Sequence, residues 1–80
     1  MTPKSLLEDG FSFYFFSNEN AEPPHVHISK GDGRAKWWLT PDPREKYSYG
    51  FNAGQRRRIK QLIQQHHAYL LQVWKTHFNA

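Results

Sequence analysis

His25-Val26-His27-Ile28-Ser29-Lys30-Gly31-Asp32-Gly33-Arg34-Ala35-Lys36-Trp37-Trp38-Leu39-Thr40 is the stretch that decides the fold. Two runs of alternating, β-branched and aromatic residues flank a Gly-Asp-Gly tripeptide, which is the pattern of a β-hairpin. Taking Asp32-Gly33 as a two-residue type I′ turn sets Gly31 opposite Arg34, Ile28 opposite Trp37 and Val26 opposite Leu39. Those apolar residues then share one face, as one-sided burial requires. His27 with Trp38, and Ser29 with Lys36, take the other face. A three-residue loop would set Ile28 against Lys36 and His27 against Trp37, so the two-residue register is preferred.

Upstream, Glu22-Pro23-Pro24 sets a rigid step before the strand and fixes where it begins. His25 and His27, two apart on a strand, project side by side. Ser17 to Pro24 reads as a polar loop, and the aromatic run from Gly10 to Phe16 as a first strand. Residues 1–9 read as a loose lead-in. Downstream, Pro41 and Pro43 end the hairpin's second strand, because proline cannot donate to a ladder. Tyr47 to Phe51 reads as a short fourth strand.

Asn52 then offers an N-cap, and Gln55 three residues later completes a capping-box pattern. From Ala53 to Phe78, Ile59, Leu62, Ile63, Leu70, Val73 and Trp74 recur at helical spacing and form one stripe. A helix over 53–78 would be roughly 40 Å long at ~1.5 Å per residue. The expected fold is therefore α+β. A small antiparallel β-sheet of three to four strands (10–51) packs on one long C-terminal α-helix (53–78), in a single domain spanning 1–80.

Composition narrows the function classes. Eighty residues bury only roughly 60% of their unfolded surface, so the core is thin. Six Phe, four Tyr and three Trp compensate with large apolar areas. No cysteine is present, which excludes a disulfide, a thiolate nucleophile and a Cys-based zinc site. No apolar run approaches the roughly 20 residues of a membrane span, and the N-terminus lacks a signal-peptide layout. The expectation is a cytoplasmic protein with no membrane contact.

Charge is uneven. Residues 1–45 carry five basic and seven acidic side chains, whereas 46–80 carry Lys46, Arg56, Arg57, Arg58, Lys60 and Lys75 and no acid. An acid-free basic half suggests an anionic partner, nucleic acid or an acidic protein. A solvated helix face that keeps a small protein soluble is the plain alternative. The arginines fall in the helix's first turns, where the macrodipole disfavours added cations.

The histidines admit several chemistries. His25 and His27 offer two ligands to a metal, with Glu19 or Glu22 as a third, but His-x-His on a strand is a weak signal. No metal or other cofactor is expected. Catalysis, for instance a histidine-dependent ribonuclease, would need an orienting partner and a substrate between imidazoles only roughly 7 Å apart along the strand. His66 and His77 fall inside the helix's apolar stripe and His67 at its edge, positions where a ring nitrogen usually bonds a backbone carbonyl.

Nucleic-acid binding accounts for more features together. The outer face gathers Tyr14 and Phe16, His25 and His27, then Arg34, Lys36 and Trp38, which combines stacking surfaces with cations. Arg56, Arg57 and Arg58 add a phosphate-attracting patch. The same surface would also suit a protein partner or a homodimer, since interface centres favour Trp, Tyr, Phe and Arg.

Gly10-Phe11 with its aromatic run, Pro23-Pro24-His25-Val26-His27, Ala35-Lys36-Trp37-Trp38-Leu39, Gly50-Phe51 and the closing Trp74 and His77-Phe78 resemble a family of small bacterial proteins. It is the domain of unknown function DUF4160. The resemblance spans roughly residues 10–78, and Pro-Pro-His-x-His is its most specific block. It implies partnership in two-gene, toxin–antitoxin-like modules, with a protein partner from a neighbouring gene, and it carries no catalytic residue set. Arg44-Glu45-Lys46-Tyr47 departs from the family's more apolar pattern.

Overall fold

The computed structural model describes residues 4–16 and 21–78. The chain forms β1 (Lys4–Glu8), β2 (Phe11–Tyr14), β3 (His25–Lys30), β4 (Gly33–Trp38), β5 (Arg44–Tyr49), α1 (Ala53–Gln65) and α2 (His67–Phe78). The strands make one antiparallel sheet in sequence order, β1-β2-β3-β4-β5. The α+β expectation holds. The sheet has five strands rather than three or four, and the single long helix is two.

The unforeseen strand is β1, which replaces the loose lead-in over its residues. Asp9 and Gly10 both take positive φ, 55° and 81°, and turn β1 back onto β2. Asp-Gly is a favoured pair for a turn with two left-handed residues. Leu6 then sits opposite Phe13 and joins the edge of the core.

The central hairpin differs from expectation by two residues. Lys30 pairs with Gly33, Ile28 with Ala35, Val26 with Trp37 and His25 with Trp38, so Gly31-Asp32 forms the turn rather than Asp32-Gly33. Gly31 holds φ 57°, the left-handed first position that a type II′ turn reserves for glycine. Gly33 is glycine for another reason: a Cβ there would run into the Phe51 ring. Gly50, at φ 75°, swings Phe51 out of β5's line and onto Phe11, with ring centroids 5.8 Å apart. The last strand consequently runs Arg44–Tyr49, not 47–51.

A shift of two residues preserves the faces. Phe13, Ile28 and Ala35 lie in register on one side, and Phe11, Phe15, Val26, Trp37 and Leu39 join them in the core. Ile59, Leu62 and Ile63 of α1, with Leu70 and Trp74 of α2, cover this side. Val73 is half-buried at its border.

Asn52 caps α1 as expected. Its Oδ1 accepts from the Gln55 backbone N–H at 2.8 Å, and Gln55 Oε1 accepts from the Asn52 N–H at 2.9 Å. The helix then breaks at His66, where φ is −107° and ψ 19°. A straight helix over 53–78, roughly 39 Å long, would overrun a molecule whose longest dimension is 34 Å. The bend keeps both halves over the sheet, and histidines hold it from both sides. His66 Nε2 donates to Glu8 Oε1 of β1 at 3.1 Å, and His67 Nε2 donates to the Leu39 carbonyl at 2.6 Å. His67 thus has the backbone partner expected of it, whereas His66 bonds a carboxylate. His77, placed in the apolar stripe by spacing, is exposed, because the stripe swings round after the break; its ring rests against Phe78 at 4.7 Å.

Candidate functional site

With both helices on the Phe13/Ile28 side, the opposite side of the sheet is left open. Cross-strand rows order its side chains. Leu7, Ser12, Ser29, Arg34 and Tyr49 form one row, and Tyr14, His27, Lys36 and Tyr47 the next. His25, Trp38 and Arg44 complete the face. His27 therefore sits beside Lys36, and His25 beside Trp38, two residues from the expected pairing.

Rings dominate this face. Tyr47 and Tyr49 lie nearly parallel on β5, with centroids 5.9 Å apart and planes 18° from coplanar. They are 41% and 60% exposed. Tyr14 stacks on His27 at 5.6 Å, and Phe16 closes edge-on over the same imidazole at 4.6 Å. Arg34 stands in the Tyr49 row and braces the turn, its Nη1 donating to the Gly31 and Gly33 carbonyls at 2.8 and 2.6 Å.

The expected exposure of the histidines is corrected here. His25 is 0%, His27 6% and Lys36 8% exposed. The cause for His25 lies far along the chain: Trp74 of α2 closes on it at 4.9 Å, at the end of the sheet where β3 starts. His25 Nδ1 donates to the Pro23 carbonyl at 2.8 Å, so the Pro-Pro step holds the ring as well as the strand start. The Leu39 N–H, donating to the Pro24 carbonyl at 2.9 Å, extends the pairing past the strand. His27 is buried under Tyr14 and Phe16. Lys36 Nζ lies 4.9 Å over the Trp38 ring and bonds Glu22 Oε1 at 2.7 Å, so its charge is already partnered. Glu22 Oε1 also lies 3.7 Å from His25 Nε2. These residues hold the face in place more than they present themselves to a ligand.

The arginine triplet lies elsewhere. Arg56, Arg57 and Arg58 belong to α1, on the helix side of the sheet and apart from the tyrosines. Arg56 forks onto Glu45, with Nη2 to Oε1 at 2.6 Å and Nε to Oε2 at 3.1 Å, which pushes its pKa further up. Arg58 donates to Asp9 Oδ2 at 2.6 Å. Arg57 is exposed. Among the described residues no group of three His, Asp or Glu could hold a metal ion, and Glu19 lies outside them. No helix of the described chain is long and apolar enough to cross a membrane.

A tyrosine pair and a leucine were missed by sequence reasoning. Tyr47 and Tyr49 alternate on β5, and once that strand is in register their period of two aims both at the open face. Leu7 comes with β1 and is 62% exposed on the same side.

The tyrosines also give the face a titration signature. Burial raises the pKa of the Tyr14 hydroxyl above the ordinary 10.0, and the nearby Tyr47 and Tyr49 add to it, while Arg34 and a hydrogen bond with Ser29 oppose the shift. A raised value means that the folded chain holds this proton more tightly than the unfolded chain does. The associated stability is fully present below the ordinary tyrosine value and falls away as pH rises through the higher folded-state value. Ultraviolet titration should show a late phenolate step that Tyr14→Phe removes; loss of an early step instead would contradict the assignment.

No curated protein and no solved structure shows a match to the chain. A family model does match, over residues 10–75, from the turn before β2 to one residue past Trp74. The chain belongs to the family described as a domain of unknown function, DUF4160.

Proposed function

We propose that the open face of the sheet binds single-stranded nucleic acid, without catalysis. The observation that carries this is the exposed, near-parallel pair Tyr47 and Tyr49, set in rows with Tyr14 and Arg34 on the part of the face that α2 does not reach. Flat rings suit any base, and Arg34 and Arg44 supply cations for the phosphates between them. A ribonuclease has less support, because His25 is fully buried and its Nδ1 is committed to Pro23.

Binding of a fluorescent single-stranded oligonucleotide, followed by anisotropy across a salt series, tests the proposal. Affinity is expected to fall steeply with salt. Arg44→Gln should lower the log–log slope by roughly 0.7, the value for one phosphate contact on a single strand. Absent or salt-independent binding would refute it. A protein partner encoded by a neighbouring gene is the second reading, favoured by Leu7, which adds a large exposed apolar group to the same face. Such a partner would stay bound at moderate salt.

A further inference from the structure

Across β5 from the tyrosines lies a second feature that the sheet face does not use. α1 and β5 enclose an open groove of about 290 Å³, lined by Trp37, Glu45, Ala53, Arg56, Arg57 and Lys60. Its construction is legible from both sides. Ala53, Arg56, Arg57 and Lys60 are spaced 3, 4 and 7 residues apart and so form one stripe of α1. Trp37 and Glu45 are opposite one another where the β4–β5 register slips, between Lys36 and Trp37, so the edge strand bulges at the groove.

Charge in the groove is unbalanced. Three cations meet one carboxylate, and Glu45 is engaged by Arg56 through both oxygens. Among the described residues Arg57 and Lys60 have no ion-pair partner, although both line the same space. The edge of the Trp37 indole, 5% exposed, and the Ala53 methyl group add an apolar lining. A cationic rim over an aromatic lining suits a ligand that is flat at one end and anionic at the other. The volume lies at the lower limit of small-molecule sites, roughly 300 Å³, which favours a mononucleotide over a larger cofactor.

We infer that this groove binds a nucleoside monophosphate, with Arg57 and Lys60 on the phosphate and the base over the Ala53 methyl and the exposed edge of Trp37. The Arg56–Glu45 fork positions the neighbouring backbone and holds β5 against α1. The site is separate from the sheet face, and its occupancy does not require that face to bind a polynucleotide.

Calorimetric titration of the full chain with each common ribonucleoside monophosphate, the matching nucleoside and inorganic phosphate tests the inference. At least one monophosphate should bind, with nucleoside and inorganic phosphate each weaker by roughly tenfold or more. Arg57→Gln and Lys60→Gln should each weaken it by roughly tenfold, the usual effect of losing a charged hydrogen bond. Both residues are exposed, so the fold tolerates these changes. Tyr47→Ala with Tyr49→Ala should leave the affinity unchanged. Four outcomes overturn the assignment: no monophosphate binding, equal affinity for inorganic phosphate, an unchanged affinity in the Arg57→Gln/Lys60→Gln double variant, or loss in the tyrosine variant.

Discussion

Trp74→Ala should lower the unfolding free energy by about 3–5 kcal/mol, the usual range for removing a buried indole. Trp74 is 3% exposed, and its ring touches three others: Phe15 at 5.7 Å, His25 at 4.9 Å and Phe78 at 4.0 Å. It therefore joins the end of β2, the start of β3 and the last turn of α2. Few other groups anchor that end of α2, whose buried residues are Leu70 and Trp74 alone. In a domain of this size roughly 4–12 kcal/mol of total stability is available, so a large share is lost. The midpoint of thermal unfolding should drop by more than about 10 °C. Urea denaturation with an unchanged slope would confirm a pure stability effect. A loss below about 1 kcal/mol would mean that α2 is not held through this ring. His25 should become solvent-accessible in the variant, visible as a changed imidazole chemical shift.

The second large effect concerns binding. Replacing Tyr47 and Tyr49 together by alanine should weaken single-stranded nucleic acid by about 2–6 kcal/mol, taking ~1–3 kcal/mol for each stacked base. That is at least a thirtyfold rise in Kd. Both side chains are exposed on an edge strand, so thermal stability should change little. Phenylalanine at both positions separates the causes. The rings remain while the hydroxyls go, so affinity should be retained within a few-fold if stacking carries the binding. An alanine variant that binds as tightly as the native chain would place the polynucleotide, if one binds, elsewhere on the surface.

The hairpin shows why some errors in reading a chain are harmless. Moving the turn from Asp32-Gly33 to Gly31-Asp32 changes every partner by two residues, yet leaves Val26 and Ile28 facing the core. Strand faces have a period of two, so this error keeps their parity. Glycine at two positions, 31 and 33, was ambiguous as a turn signal. Gly31 serves the turn, while Gly33 serves Phe51, which lies 18 residues further on. β1 was legible in principle, since Asp9-Gly10 is as good a turn pair as the one in the central hairpin. The apolar residues before it are few, and the edge strand draws its order from pairing with β2.

Periodicity and capping are local properties, and they are written in the chain. They account for the α+β class, for the core face of β3 and β4, and for the Asn52–Gln55 start of α1. They also separate the outer-face residues Arg34, Lys36 and Trp38 from the core. Exposure is a different kind of property. His25 and His27 occupy the outer face by period, but whether they meet solvent depends on what covers them. Trp74, 49 residues away, closes over His25, and the Tyr14 and Phe16 rings cover His27. The arginine triplet is likewise a single block in the sequence, which the fold divides between ion pairs at Glu45 and Asp9 and an open groove at Arg57. Contacts between distant segments follow from how the layers pack, and no local pattern encodes them; they moved the candidate binding surface from the histidines to the tyrosines.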